Sequence, residues 1–242
     1  MSLSKSASLG IIACPGCETF VNDIIPHMKS IYRKRYEKMA QTLGQNYSLS
    51  REEVIERINF NNDLKAVEIG HKKQVHTFSP PDYLIPVRFT RFATGEFKAE
   101  INRSVRGMNL YIFQDVENHY PISISDSADK YVLSVNDHVL ILFVTIDAAL
   151  QAGAKSITAV LPVYPFSRQH KKKGREALTA SWFGRVCESM GVVRIITLDI
   201  HSREIDNSFS KLRLENLHAS YQILKKLMTL VNLASTDLVV VS

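Results

Sequence analysis

Apolar residues along this chain come in two rhythms. Short unbroken runs of them lie at Leu9–Ala13, 84–91, 109–115, 156–162, Val192–Leu198 and 237–242. Continuous rather than alternating runs predict strands buried on both faces, as in a parallel sheet. Between them the spacing changes to that of helices. Phe20, Ile24, Ile25 and Met28 predict a helix over 18–28, and a basic helix follows over 31–43. Ser50 and Glu53 form a capping-box pattern ahead of a helix at 51–58. Further helices are predicted at 135–152, 179–190 and 216–230, the first two closed by Gly153 and Gly191. Residues 100–106 read as one more strand, and Thr94-Gly95 as a turn. Residues 59–81 and 117–132 are polar and irregular. Strand and helix alternate, so the expected fold class is α/β, a parallel sheet flanked by helices on both faces.

Composition narrows the field only a little. A chain of 242 residues with 45% hydrophobic and 22% charged residues has the makings of a sizeable core. No apolar run is long enough to span a bilayer, and the N-terminus is a poor signal peptide. Three cysteines do not make a secreted disulfide framework, so a cytoplasmic location is expected. The net charge of +6 fits nucleic acid, a site for polyanionic small molecules, or a plain solvated surface. Nucleic acid is the least favoured of the three. The final run at 237–242 has no helix after it, so the sequence is expected to stop inside a domain.

The chemistry concentrates late in the chain. Asp199 and His201 stand at the carboxyl end of the strand at 192–198, where open α/β sheets bind ligands. Two residues apart on a strand, they are expected to point to the same side and to hold a divalent cation facing a phosphate. The loop Arg168-Gln169-His170-Lys171-Lys172-Lys173-Gly174-Arg175 ends a neighbouring strand and would supply the counter-charge. No G-x-x-x-x-G-K-[ST] and no G-x-G-x-x-G occurs, so phosphates would be held by another device. Cys14-Pro15-Gly16-Cys17, between a strand and a helix, has the spacing of a redox pair or half a zinc site. A turn with incidental cysteines is the favoured reading. Asn136 or Asp137 is the expected N-cap of the helix at 135–152.

Four stretches in order resemble the ribose-phosphate pyrophosphokinase family. Phe92-Ala93-Thr94-Gly95-Glu96 with Asn102 to Gly107 resembles F-x-D-G-E…I-N-x-S-V-R-G. Val135-Asn136-Asp137-His138, Ile146-Asp147-Ala148 and the run from Ala152 to Val160 resemble V-N-D-H…I-D-A…A-K-x-I-T-A-V. Pro162 to Gln169 resembles P-Y-x-x-Y-x-R-Q, and Asp199-Ile200-His201 the metal-binding D-L-H.

The resemblance implies a type I phosphoribosyltransferase-like fold. It implies transfer of the diphosphoryl group of ATP to ribose 5-phosphate, with Mg²⁺ at Asp199 and His201. It places ATP against Arg168, Gln169 and His170, with Phe92 and Glu96 reaching the adenine in a neighbouring subunit. A homo-oligomer follows, commonly a hexamer in that family. The implied domains are 1–214, with insertions near 28–83 and 120–132, and the start of an incomplete second domain at 215–242. Three departures stand out. Thr94 and His170 replace aspartates, and Ala177 replaces a proline. Thr94 and His170, with the expected lack of the family's second half, favour a rival reading, a non-catalytic nucleotide-binding relative that regulates or scaffolds an active synthetase.

Overall fold

The computed structural model describes residues 8–57, 82–124 and 129–231. At its centre is a five-stranded parallel sheet of β1 (Leu9–Ala13), β4 (Asn109–Phe113), β7 (Ser156–Leu161), β8 (Val192–Leu198) and β9 (Arg213–Leu217), in that spatial order. Register runs Leu9 with Asn109, Asn109 with Ser156, Ile157 with Val192 and Arg194 with Arg213. A separate antiparallel hairpin pairs β2 (Val87–Arg91) with β3 (Phe97–Ile101), and β5 (Ile122–Ser123) pairs with β6 (Lys130–Tyr131).

The continuous apolar runs are explained by burial on both faces. Ile12, Leu110, Ile112, Ile157, Ala159 and Leu161 point into one core. Helices α3 (Val135–Gln151) and α4 (Thr179–Ser189) cover it with Val139, Leu142, Ile146, Phe183 and Cys187. Their strand neighbours Ile11, Tyr111, Phe113 and Val160 point the other way, against Val21, Ile24, Ile25 and Met28 of α1 (Glu18–Tyr47). Side chains of a strand alternate between its faces, so each central strand feeds both cores. The α/β class with a helix-flanked parallel sheet is thus as expected.

Several elements differ from the sequence reading. The helices at 18–28 and 31–43 are one 30-residue helix, α1, which continues through Pro26. Proline lacks the N–H for one intrahelical bond, but Val21, Ile24, Ile25 and Met28 on either side of it pack against the sheet. Helix α2 (Arg51–Arg57) packs farther along α1, where Arg51 pairs with Glu37. The capping box before α2 is present. Ser50 N–H donates to Glu53 Oε2 at 2.8 Å, and Glu53 N–H donates to Ser50 Oγ at 3.2 Å.

The N-cap of α3 is Ser134, not Asn136 or Asp137. Asp137 is the third helical residue, which accepts from Ser134 N–H at 2.8 Å while its own N–H donates to Ser134 Oγ. The strand expected at 100–106 begins earlier, at Phe97, and yields after Ile101 to a turn with Gly107 at φ 73°. Pro86 separates β2 from residues 83–85, which run beside β1 through Ile11 N–H to Tyr83 O (2.7 Å) and Ile85 N–H to Ile11 O (2.8 Å). Two-residue strands β5 and β6 lie in the stretch read as irregular. The helix expected from 216 begins only at Ser220 as α5 (Ser220–Leu230). Residues 213–217 are the edge strand β9, which spans position 214, where the sequence reading divided the domains. The expectations for 59–81 and for the strand at 237–242 lie outside the described residues.

Candidate functional site

The carboxyl ends of β7, β8 and β9 lie side by side and present three loops to one end of the sheet. The loop after β7 is fixed by its aromatic residues. Tyr164 is buried, donates its hydroxyl hydrogen to Ala180 O at 2.9 Å and meets the Phe183 ring edge-on at 5.4 Å. Burial pushes its phenol well above the ordinary range. Phe166 takes a left-handed backbone at φ 57° and turns the chain outward. Gln169 is then pinned by both backbone groups, its N–H to Phe166 O (2.8 Å) and its carbonyl from Ala180 N–H (3.3 Å). The side chains of Arg168 and Gln169 are exposed on this fixed backbone, and Arg168 has no ion-pair partner among the described residues.

His170 leans inward. Its Nδ1 lies 3.2 Å from Ser167 O, and its ring meets that of His201 at 5.2 Å. Lys171 Nζ lies 3.4 Å from Glu204 Oε1 in the 3-10 helix Arg203–Ser208. These two contacts join the basic loop to the chain that follows β8.

Asp199 sits just past the end of β8 in a left-handed conformation, φ 42°. Aspartate tolerates this region better than most residues, because its short polar side chain bonds locally. The strand has ended, so the alternation expected to set Asp199 and His201 side by side does not reach them. Asp199 Oδ1 lies 2.8 Å from His218 Nδ1, and Oδ2 accepts from Ala219 N–H at 3.3 Å. The bond from His218 first, and then that from Ala219, hold the Asp199 carboxyl below the usual carboxylate range. His201 faces His170 instead.

Phe92 and Glu96 stand apart, at the tip of the β2–β3 hairpin. Phe92 is exposed, and its N–H donates to Glu96 O at 2.9 Å. Thr94 donates its hydroxyl hydrogen to Glu96 Oε2 at 2.8 Å. The loops after β7 and β8 bring Arg168, Gln169, His170, Asp199 and His201 to one sheet end, whereas the hydrogen bonds of the hairpin tip stay within the hairpin.

At the ends of β1 and β4 a second polar cluster is structural. Gln114 Nε2 donates to His138 Nδ1 (2.9 Å) and Asp115 O (3.2 Å), and His138 Nε2 donates to Asn118 O (3.1 Å). Burial lowers the His138 pKa, and with its Nδ1 accepting, the imidazole is neutral. Cys14 and Cys17 flank a turn closed by Cys17 N–H to Cys14 O at 3.0 Å. Both thiols are buried and free. Burial pushes Cys17 up to about 12 and Cys14 higher still, so neither is a ready thiolate. Among the described residues no three His, Cys, Asp or Glu side chains are gathered for a metal. A magnesium ion asks for less, one or two carboxylates completed by phosphates and water, and Asp199 fits that donor set better than the imidazole of His201.

Comparison with known proteins bears on this sheet end and on the hairpin. Residues 81–191 are related to the N-terminal domain of ribose phosphate pyrophosphokinase. The ribose-phosphate pyrophosphokinase of Bacillus subtilis is 37% identical over 121 residues, 50% of this chain and 33% of that protein. That of Synechococcus elongatus is 34% identical over 158 residues, 65% of this chain and 42% of its own length. The phosphoribosylpyrophosphate synthetase of Mycobacterium smegmatis superposes with a TM-score of 0.51 at 26% identity, over 60% of this chain and 44% of that one. The chain therefore spans less than half the length of these relatives. The motif resemblance to ribose-phosphate pyrophosphokinases holds, and the α/β fold is shared. The match takes in Phe92, Glu96, Arg168, Gln169 and His170 and stops before Asp199.

Sequence reasoning missed His218, Asn216 and Arg203, which surround Asp199. Reading residues from 216 onward as helix hid Asn216 and His218. The apolar positions Leu212 and Leu214, at strand spacing just before, were the available signal.

Proposed function

We propose that this chain carries the ATP side of a diphosphoryl transfer. The β,γ-diphosphoryl group of ATP moves to the anomeric hydroxyl of ribose 5-phosphate, giving AMP and phosphoribosyl pyrophosphate. The observation that carries the proposal is the pairing of two neighbouring strand ends. Arg168, which has no ion-pair partner among the described residues, stands on a pinned backbone after β7, and Asp199 stands after β8. Phosphoryl transfer needs positioning and charge neutralisation more than covalent help. Arg168 offers a planar fork of donors to phosphate oxygens, and Gln169 and His170 line the same loop. Asp199, with His201 two residues further on, is the place for Mg²⁺, which would arrive with the nucleotide and neutralise phosphate charge. Phe92 can stack on a purine, and Glu96 can accept from an exocyclic amine. Since no hydrogen bond among the described residues joins the hairpin tip to those loops, these two residues serve a neighbouring copy, and the assembly is a homo-oligomer. Cytoplasmic nucleotide synthesis is the setting this chemistry fits. No described helix is long and apolar enough to cross a membrane.

The second reading, a nucleotide-binding regulator, rests on two particular positions. Thr94 spends its hydroxyl on Glu96, and His170 puts an imidazole where the family has a carboxylate.

Titration calorimetry of the chain with ATP, with and without Mg²⁺, tests both readings. Binding that needs Mg²⁺ is expected, weakened at least tenfold in Arg168→Ala and in Asp199→Asn. AMP release from ATP only when ribose 5-phosphate is present marks the synthetase. Binding without AMP release marks the regulator, and no binding of ATP overturns both.

A further inference from the structure

Asp199 is the residue of the proposed cation site that the structure holds most firmly, and the holding comes from the edge strand. Four bonds cross from β9 and the start of α5 to the end of β8. Asp199 N–H donates to Leu217 O at 2.9 Å, and Ile200 N–H donates to Asn216 Oδ1 at 2.9 Å. His218 Nδ1 meets Asp199 Oδ1 at 2.8 Å, and Ala219 N–H reaches Oδ2 at 3.3 Å. The far nitrogen of His218, Nε2, lies 3.2 Å from Arg203 Nη2 and 3.4 Å from Asn216 Nδ2. A guanidinium can only donate, so Nε2 accepts. The ring proton is therefore on Nδ1, and it is given to Asp199. The chain of bonds runs Arg203 to His218 to Asp199, all in one direction.

We infer that His218 is a positioning residue, which fixes the rotation of the Asp199 carboxylate for a divalent cation bound with a nucleotide. The inference rests on the cation role proposed for Asp199. The chemistry suits the task. A neutral imidazole donor occupies one lone pair of Oδ1 without cancelling the carboxylate's charge, and each carboxylate oxygen keeps another acceptor site. Groups of this kind behind a ligating carboxylate usually matter to metal affinity about 10- to 100-fold. Past Leu198 the Asp199 backbone turns left-handed and leaves the pleat, so its carboxylate is held by His218 and Ala219 rather than by side chains of the sheet face. Arg203, in turn, selects the tautomer of His218 that donates to the carboxylate.

Two variants and two readouts test this. His218→Ala removes the donor. His218→Asn puts an amide N–H the same number of bonds from the backbone as Nδ1. The first readout is ATP affinity at varied Mg²⁺. His218→Ala is expected to need about tenfold more Mg²⁺ for half-maximal ATP binding, and His218→Asn to restore most of the loss. A wild-type Mg²⁺ requirement in His218→Ala overturns the inference. The second readout is a crystal structure of each variant without nucleotide. The Asp199 carboxylate is expected to rotate away from its place in His218→Ala and to keep it in His218→Asn. A carboxylate that keeps its place in His218→Ala overturns positioning, whatever the nucleotide data. If the wild-type chain binds no ATP but the carboxylate moves as expected, the proposed function falls and the positioning stands.

Discussion

Single residues carry more of the outcome than their types suggest. Gly184, on α4, is one. A Cβ there would collide with the ring of Phe209 and come within 2.8 Å of the Tyr164 hydroxyl. The absence of a side chain lets Phe209 and Tyr164 close over the helix, and Tyr164 in turn fixes the loop that bears Arg168. Gly184→Ala should destabilise the fold by about 1–3 kcal/mol, as overpacked cores do. Denaturant unfolding measures the loss, and an unchanged midpoint would mean the Phe209 ring moves aside freely. The sequence could not mark this glycine, because its requirement comes from residues 20 and 25 positions away. By contrast, Arg168, Gln169 and Asp199 were legible as site candidates from their places after apolar runs. Their partners were not. The carboxylate's neighbour His218 is 19 residues distant and is brought in by strand pairing alone.

At the scale of elements, the edge strand β9 is the least expected feature and the one the site depends on. It is seated by Glu188 at the end of α4. Glu188 Oε1 accepts from the N–H groups of Ser210 (2.9 Å), Lys211 and Leu212 (2.8 Å). Those bonds, that from Lys211 foremost, hold the Glu188 pKa below the ordinary value of 4.5. A carboxyl with a folded pKa below its unfolded one stabilises the fold fully above the unfolded value. That contribution is lost as pH falls through the folded pKa. Glu188→Gln should therefore melt at a lower temperature than wild type at neutral pH, and the gap should close as pH drops below about 4.5. Thermal melts across pH 3–7 check it, and a gap independent of pH would remove the charge from the account. The sequence reading placed β1, β4, β7, β8, α3 and α4 closely, because each declares itself by its own apolar period. It missed β9, whose residues are only partly buried at the sheet edge. It also split α1 in two, because the contacts that carry that helix through Pro26 are tertiary.

The whole molecule is a sheet stabilised from its middle outward. Both faces of β4 and β7 are covered, whereas α5 buries no residue and α1 beyond Val21 fully buries only Ala40. Amide exchange should be slowest in β4 and β7 and fastest in α5 and the distal half of α1, with β9 between them. Exchange by mass spectrometry would show the order, and an α5 protected like β7 would show that another surface covers it in solution. The proposed chemistry follows the same geometry, since parallel strands bring the loops after β7, β8 and β9 to one end.

By itself the sequence determined the α/β class, the central strands and most helices. It also determined which loops bear the residues proposed to meet phosphate, because period, capping residues and short motifs are local properties. Only the tertiary structure decided that Asp199 and His201 part company, one to His218 and the other to His170. Only the tertiary structure closed the β2–β3 tip on itself, with Thr94 bonded to Glu96. Those outcomes depend on where a strand stops and which strand pairs beside it. They are settled by contacts between residues far apart in the chain, which no local pattern encodes.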